Sequence, residues 1–104
     1  MPKVFSTKEF DTWERILSRE HKEEIDDIIK QLKKSKDVGR PLGYPFFREK
    51  KFDKYRIYYL IYEDLDVILL ITINDKKTQQ ETINRIKESL DQYNKLIRNK
   101  IKEI

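Results

Sequence analysis

The sequence predicts an α+β domain: a small, mainly antiparallel sheet formed by a short N-terminal strand and a three-stranded meander, with a helical hairpin before the meander and a long C-terminal helix after it. Three observations predict it. Between positions 46 and 73, three runs rich in tyrosine and aliphatic residues follow one another with links short enough for antiparallel hairpins. Ahead of them, two apolar stripes recur at helical spacing. Behind them, a third stripe continues to the last residue without a glycine or proline.

Each element has its own local reason. "KVF" at Lys3 to Phe5 reads as a short strand. It runs into "STKE", where Ser6 is placed to cap a helix and Glu9 to reach back. Phe10, Trp13, Ile16 and Leu17 form the stripe of that first helix. After a polar break at Ser18 to His21, Ile25, Ile28, Ile29 and Leu32 form the stripe of a second. The following "KKSKDVGRPLGYP" holds both glycines and two of the three prolines, and is expected to be the principal loop.

The strands of the meander are expected at Phe46 to Phe52, Tyr55 to Tyr62 and Asp66 to Ile73. Ile57, Tyr59 and Ile61 alternate with Arg56, Tyr58, Leu60 and Tyr62 on the middle one. The last strand is apolar on both sides and should lie inside the sheet. "TQQE" at Thr78 to Glu81 repeats the capping pattern and opens the third helix, with Ile83, Ile86, Leu90, Tyr93, Ile97, Ile101 and Ile104 near heptad spacing. Over 78–104 such a helix would extend roughly 39 Å at about 1.5 Å per residue, farther than a small sheet can cover. Its distal half is therefore expected to dock on a partner or a second copy, and the sheet face away from the hairpin to stay open.

Composition narrows the function. One hundred and four residues make one domain, 1–104, large enough for its own core. Without cysteine there is no disulfide, thiolate metal site or cysteine nucleophile, and no structural metal or cofactor is expected. No apolar run approaches a membrane span or an early signal segment, so a cytoplasmic protein with no membrane partner is expected. Charged residues make up 40% of the chain and the net charge is +4, a mild pointer to polyanionic partners.

The segments "PLGYPFFREKK", "KYRIYYLIYED" and "VILLITINDKK", in that order and at these separations, resemble the RelE/ParE superfamily of toxins from toxin–antitoxin pairs. The resemblance covers the chain up to about Leu90, and its middle piece is the most specific. It implies a compact fold whose concave sheet face meets messenger RNA in the ribosome-dependent nucleases, and DNA gyrase in the ParE-like branch. It also implies a cognate antitoxin, acidic and partly disordered, that covers the basic face.

Metal-free RNA cleavage needs a base for the 2′-hydroxyl, cations for the scissile phosphate and an acid for the leaving oxygen. Arg48 and Lys50 share a strand face by period-two spacing, and they converge with Arg56 if the turn between the strands aligns them. By resemblance, Lys50 is the expected base and Arg56, at the "YR" step, the phosphate ligand. Tyr58 would stack a base or pass a proton, so Lys50, Arg56 and Tyr58 form the expected catalytic set. Arg48, Lys51, Lys54, Lys76 and Lys77 would bind the RNA backbone. The chain departs from the nuclease pattern in having Lys76 and Lys77 where an arginine is usual, and Thr82 and Ile83 near the usual C-terminal tyrosine or histidine. Read without the resemblance, Arg56 pairs with Glu49 or Asp53 across the sheet, the lysines at 51 and 54 protect an edge strand, and the tyrosines pack. His21, the only histidine, reads as a solvated turn residue.

Overall fold

In the computed structural model, residues Met1–Glu103 are described; Ile104, the last position of the third stripe, lies outside them. Nine principal elements follow in order: β1 (Lys3–Ser6), α1 (Lys8–Ile16), α2 (Arg19–Lys34), β2 (Arg40–Tyr44), β3 (Phe47–Phe52), β4 (Tyr55–Tyr62), β5 (Val67–Asp75), α3 (Gln79–Glu88) and α4 (Leu90–Lys102). Single 3₁₀ turns at Glu63–Leu65 and Lys76–Thr78 flank β5. The sheet runs β1-β5-β4-β3-β2, antiparallel except for the β1/β5 pair. The α+β class, the meander and the interior position of β5 are as expected from the sequence.

Local chemistry starts the helices, with one change of cap. Thr7, rather than Ser6, caps α1: its hydroxyl accepts from the Phe10 amide at 3.1 Å and donates to the Ile71 carbonyl at 2.6 Å, tying the helix start to β5. Ser18 caps α2 by accepting from the His21 amide. Thr78 makes no side-chain cap bond at α3, contrary to the capping-box expectation.

The region expected to be the principal loop contains a fifth strand. β2 is the edge beside β3, and an arginine and a tyrosine clamp its approach. Arg48 donates to the Gly39 carbonyl at 2.8 Å and the Pro45 carbonyl at 2.9 Å. The buried Tyr59 hydroxyl accepts from the Gly39 amide and donates to the Lys36 carbonyl, both at 3.0 Å. Gly39 is needed there because a Cβ would stand 2.2 Å from the Glu49 carbonyl oxygen.

Two cores sandwich the sheet. On one side Phe10, Ile25, Ile28 and Leu32 of the hairpin pack on Ile57, Tyr59, Ile61, Ile68 and Leu70. On the other, Ile83, Ile86 and Ile97 of α3 and α4 pack on Tyr58, Leu60, Leu69 and Ile71. The expectation of an open second face is therefore corrected. The long helix is interrupted at Ser89, and α4 lies over the sheet: Ile97 is fully buried and Leu90, Tyr93 and Ile101 are packed against the same core. A helix spanning 78–104 unbroken would outreach the molecule's longest dimension of 33 Å. The apolar stripe that suggested a homodimer through this helix is used on the chain's own sheet. A bulge opposite Tyr58 and Tyr59 leaves Ile71 as the extra residue of β5, so that Asn74 and Thr72 beyond it share the Arg56 and Tyr58 face.

Candidate functional site

The register of β3 on β4 decides which side chains meet. The tight turn at Asp53 and Lys54 pairs Phe52 with Tyr55, Lys51 with Arg56, Lys50 with Ile57, Glu49 with Tyr58 and Arg48 with Tyr59. Directly paired residues share a face. Lys51 and Glu49 therefore stand beside Arg56, while Arg48 and Lys50 project toward the hairpin side. The expected convergence of Arg48, Lys50 and Arg56 is corrected accordingly. Arg48 has a structural task at the start of β2, with Asp37 as a further ion partner at 3.4 Å.

Where α3 begins, it leaves one end of this face uncovered. A cleft of about 490 Å³ opens there, bordered by Arg40, Glu49, Lys50, Lys51, Arg56, Lys76 and Gln79, with Val38 and Gly39 at its edge. Glu49, 4% exposed, is its floor. Its carboxylate accepts from Arg40 Nε at 2.8 Å, and from Gln79 Nε2 at 2.8 and 2.9 Å on its two oxygens. Arg56 Nε stands 3.8 Å from Glu49 Oε2, an ion-pair distance too long for a hydrogen bond. The side-chain pairing of Arg56 with Glu49 read from residue chemistry alone is present. It holds the guanidinium at the wall of the cleft, where the Arg56 side chain is 11% exposed.

Other expected positions fall elsewhere. Tyr58 is fully buried beneath α3, and its phenol is pushed up to about 12, first by loss of solvent and then by Glu49. It has no free face for a base, and a phenol so hard to ionise is a poor proton relay at neutral pH. Among the described residues its hydroxyl and Asn74 Oδ1 have no hydrogen-bond partner, while Asn74 Nδ2 donates to the Thr82 hydroxyl. Lys54 lies at the turn with its ammonium 5.4 Å from the Tyr55 ring. Lys77 is exposed outside the cleft, its amide donating to Asp75.

Thus Arg56, Lys51 and Lys76 are brought together with Lys50 at the border, and Arg48, Lys54, Lys77 and Tyr58 are not. Arg40 and Gln79 are members that the sequence did not suggest, and Glu49 was expected only as an ion partner of Arg56. Glu49 had a signal, since it shares period-two parity with Lys51, which a two-residue turn at Asp53 pairs with Arg56. Among the described residues no group of three or more histidine or acidic side chains is arranged to hold a metal ion. No helix among them is long and apolar enough to cross a membrane.

No family model and no curated protein matches the sequence. Solved structures do match the fold. The isolated RelE toxin of E. coli is 16% identical, with a TM-score of 0.65 over 83% of this chain and 99% of its own. The RelBE2 toxin–antitoxin complex of Mycobacterium tuberculosis is 16% identical, with a TM-score of 0.64 over 73% of this chain and all of the matched one. The RelB-RelE complex of Methanococcus jannaschii gives 18% and 0.60 over 76% and 98%. With TM-scores of 0.60–0.65 over nearly the full length of each matched chain, the protein shares the fold of these solved RelE structures.

Proposed function

We propose that the protein is the toxin of a toxin–antitoxin pair and that it cleaves messenger RNA on the ribosome through the cleft around Arg56. The observation that carries this reading is the gathering of Arg40, Lys51, Arg56 and Lys76 about one recessed carboxylate, on a fold whose solved relatives are toxins. The Arg56 fork binds the scissile phosphate, and Lys51 and Lys76 neutralise the charge added as the 2′-oxygen attacks. Glu49, the only carboxylate lining the cleft among the described residues, accepts the 2′-hydroxyl proton, a task that arginine at neutral pH does not perform. A flanking lysine ammonium protonates the departing 5′-oxygen. Lys50, the base expected from the sequence, gives that role to Glu49 and adds only its charge at the border of the cleft. A cognate antitoxin, acidic and partly disordered, covers the cleft in the resting pair.

One observation favours a second reading, a binding protein on the same fold directed at gyrase or at RNA without cleavage. Glu49 is already engaged by Arg40 and Gln79, and Tyr58 is withdrawn from the surface. Induced expression separates the two. Growth arrest with cut transcripts, relieved by Arg56→Ala and by Glu49→Gln, supports cleavage. Arrest with intact transcripts and damaged DNA supports gyrase, and no arrest supports binding alone.

A further inference from the structure

β2 carries Arg40 into the cleft at one end and Tyr44 out of the protein at the other. The ring of Tyr44 stacks on that of Phe46, with centroids 4.9 Å apart and planes inclined by 27°. Both rings are solvent-exposed, at 40% and 38%, and they are the aromatic members of the few large apolar side chains left exposed among the described residues. α3 accompanies β2 over this distance. Gln79 in its first turn holds Glu49 at the cleft, and Lys87 near its end sets its ammonium 5.8 Å from the Tyr44 ring centroid. Gly43, at φ 90°, takes the left-handed backbone that favours glycine, and the Lys87 ammonium lies beside it. Arg40 pairs with Glu49 and Tyr44 with Phe47 across an irregular register, so the two ends of β2 face β3 residues only two apart, roughly 7 Å at about 3.3 Å per strand residue.

A cationic cleft joined to an exposed, already stacked pair of rings with a lysine beside it is the combination that holds single-stranded nucleic acid: charges follow the phosphates and rings take the bases. Building on the function proposed above, we infer that RNA leaves the cleft along the β2 edge and stacks its bases on Tyr44 and Phe46. The track ends there. Beyond Phe46, the apolar recess over Leu60 and Leu90 is lined by Glu63, Asp64 and Asp91 and, among the described residues, by no basic side chain that could hold a phosphate.

The test is fluorescence anisotropy of the full chain with a labelled single-stranded oligoribonucleotide, 2′-O-methylated so that it stays intact. Tyr44→Ala and Phe46→Ala each weaken binding about tenfold, Tyr44→Trp restores it, and an oligonucleotide made abasic along its length binds weakly and is insensitive to all three. Both rings are exposed, so thermal melts of the variants should match the parent. Unchanged affinity in both alanine variants, alongside weakened binding by Arg56→Ala, overturns the stacking platform and leaves the cleft standing. Weakened binding in the alanine variants with no effect of Arg56→Ala supports the platform and removes the cleft. Absence of RNA binding by the parent protein overturns both.

Discussion

At the scale of single residues, the cleft depends on side chains that hold its walls as much as on those that face a ligand. Tyr59 shows this. Its buried hydroxyl joins the Gly39 amide to the Lys36 carbonyl and so fixes the approach to β2. Tyr59→Phe should cost about 1 kcal/mol, because it removes both hydrogen bonds from a part-buried segment, and denaturant unfolding should show a lower midpoint at unchanged slope. A second residue-scale link lies at the turn that sets the register. His21 is placed between Ser18 at 3.0 Å and Asp53 at 2.9 Å, with Tyr55 and Phe52 edge-on to its ring, rather than solvated in a free turn. Its hydrogen bond, more than any other influence, draws the Asp53 carboxyl below the ordinary value of 3.8. A depressed acid stabilises the fold above its unfolded value, and that help is lost as pH falls through the folded value. Asp53→Asn should therefore melt lower than the parent at neutral pH, and the two curves should converge below about pH 3.8. Equal melting temperatures at neutral pH would remove this role from the pair.

At the scale of elements, α4 decides how much of the sheet remains available. Ile97 is fully buried, Arg98 bonds Asp64 at 2.9 Å, and Tyr93 and Ile101 complete the packing. Ile97→Ala should destabilise by about 2–5 kcal/mol and should raise binding of a hydrophobic dye as the sheet face is uncovered. The helices and the meander were legible in the sequence because their apolar periods are long and unambiguous. β2 was not, since Gly39, Pro41, Gly43 and Pro45 are turn formers and its pairing depends on Arg48 reaching back to Gly39 and on Tyr59, twenty residues away. The interruption at Ser89 was hidden for a related reason. Its local sequence reads as helix, and the gain from laying Ile97 on Leu69 and its neighbours belongs to the tertiary structure.

At the scale of the whole molecule, a net charge of +4 is distributed so that five basic side chains border a cleft with one carboxylate. If the cleft holds an RNA backbone, affinity should fall linearly with salt on logarithmic axes, and removing Arg56 or Lys51 should flatten that slope by about 0.7 for each phosphate left without its cation. An unchanged slope in both variants would place the RNA elsewhere. The sequence by itself determined the α+β class, the order of the meander, the place of Arg56 on the face it shares with Tyr58, and the resemblance that led to the fold, because each is written in alternation or local motif. Only the tertiary structure decided that Lys51, rather than Arg48, joins Arg56 and Glu49, and that α3 and α4 close over Tyr58. The physical reason is that strand parity inverts with a one-residue change of register, and that a helix gains most by covering whatever apolar face lies within reach.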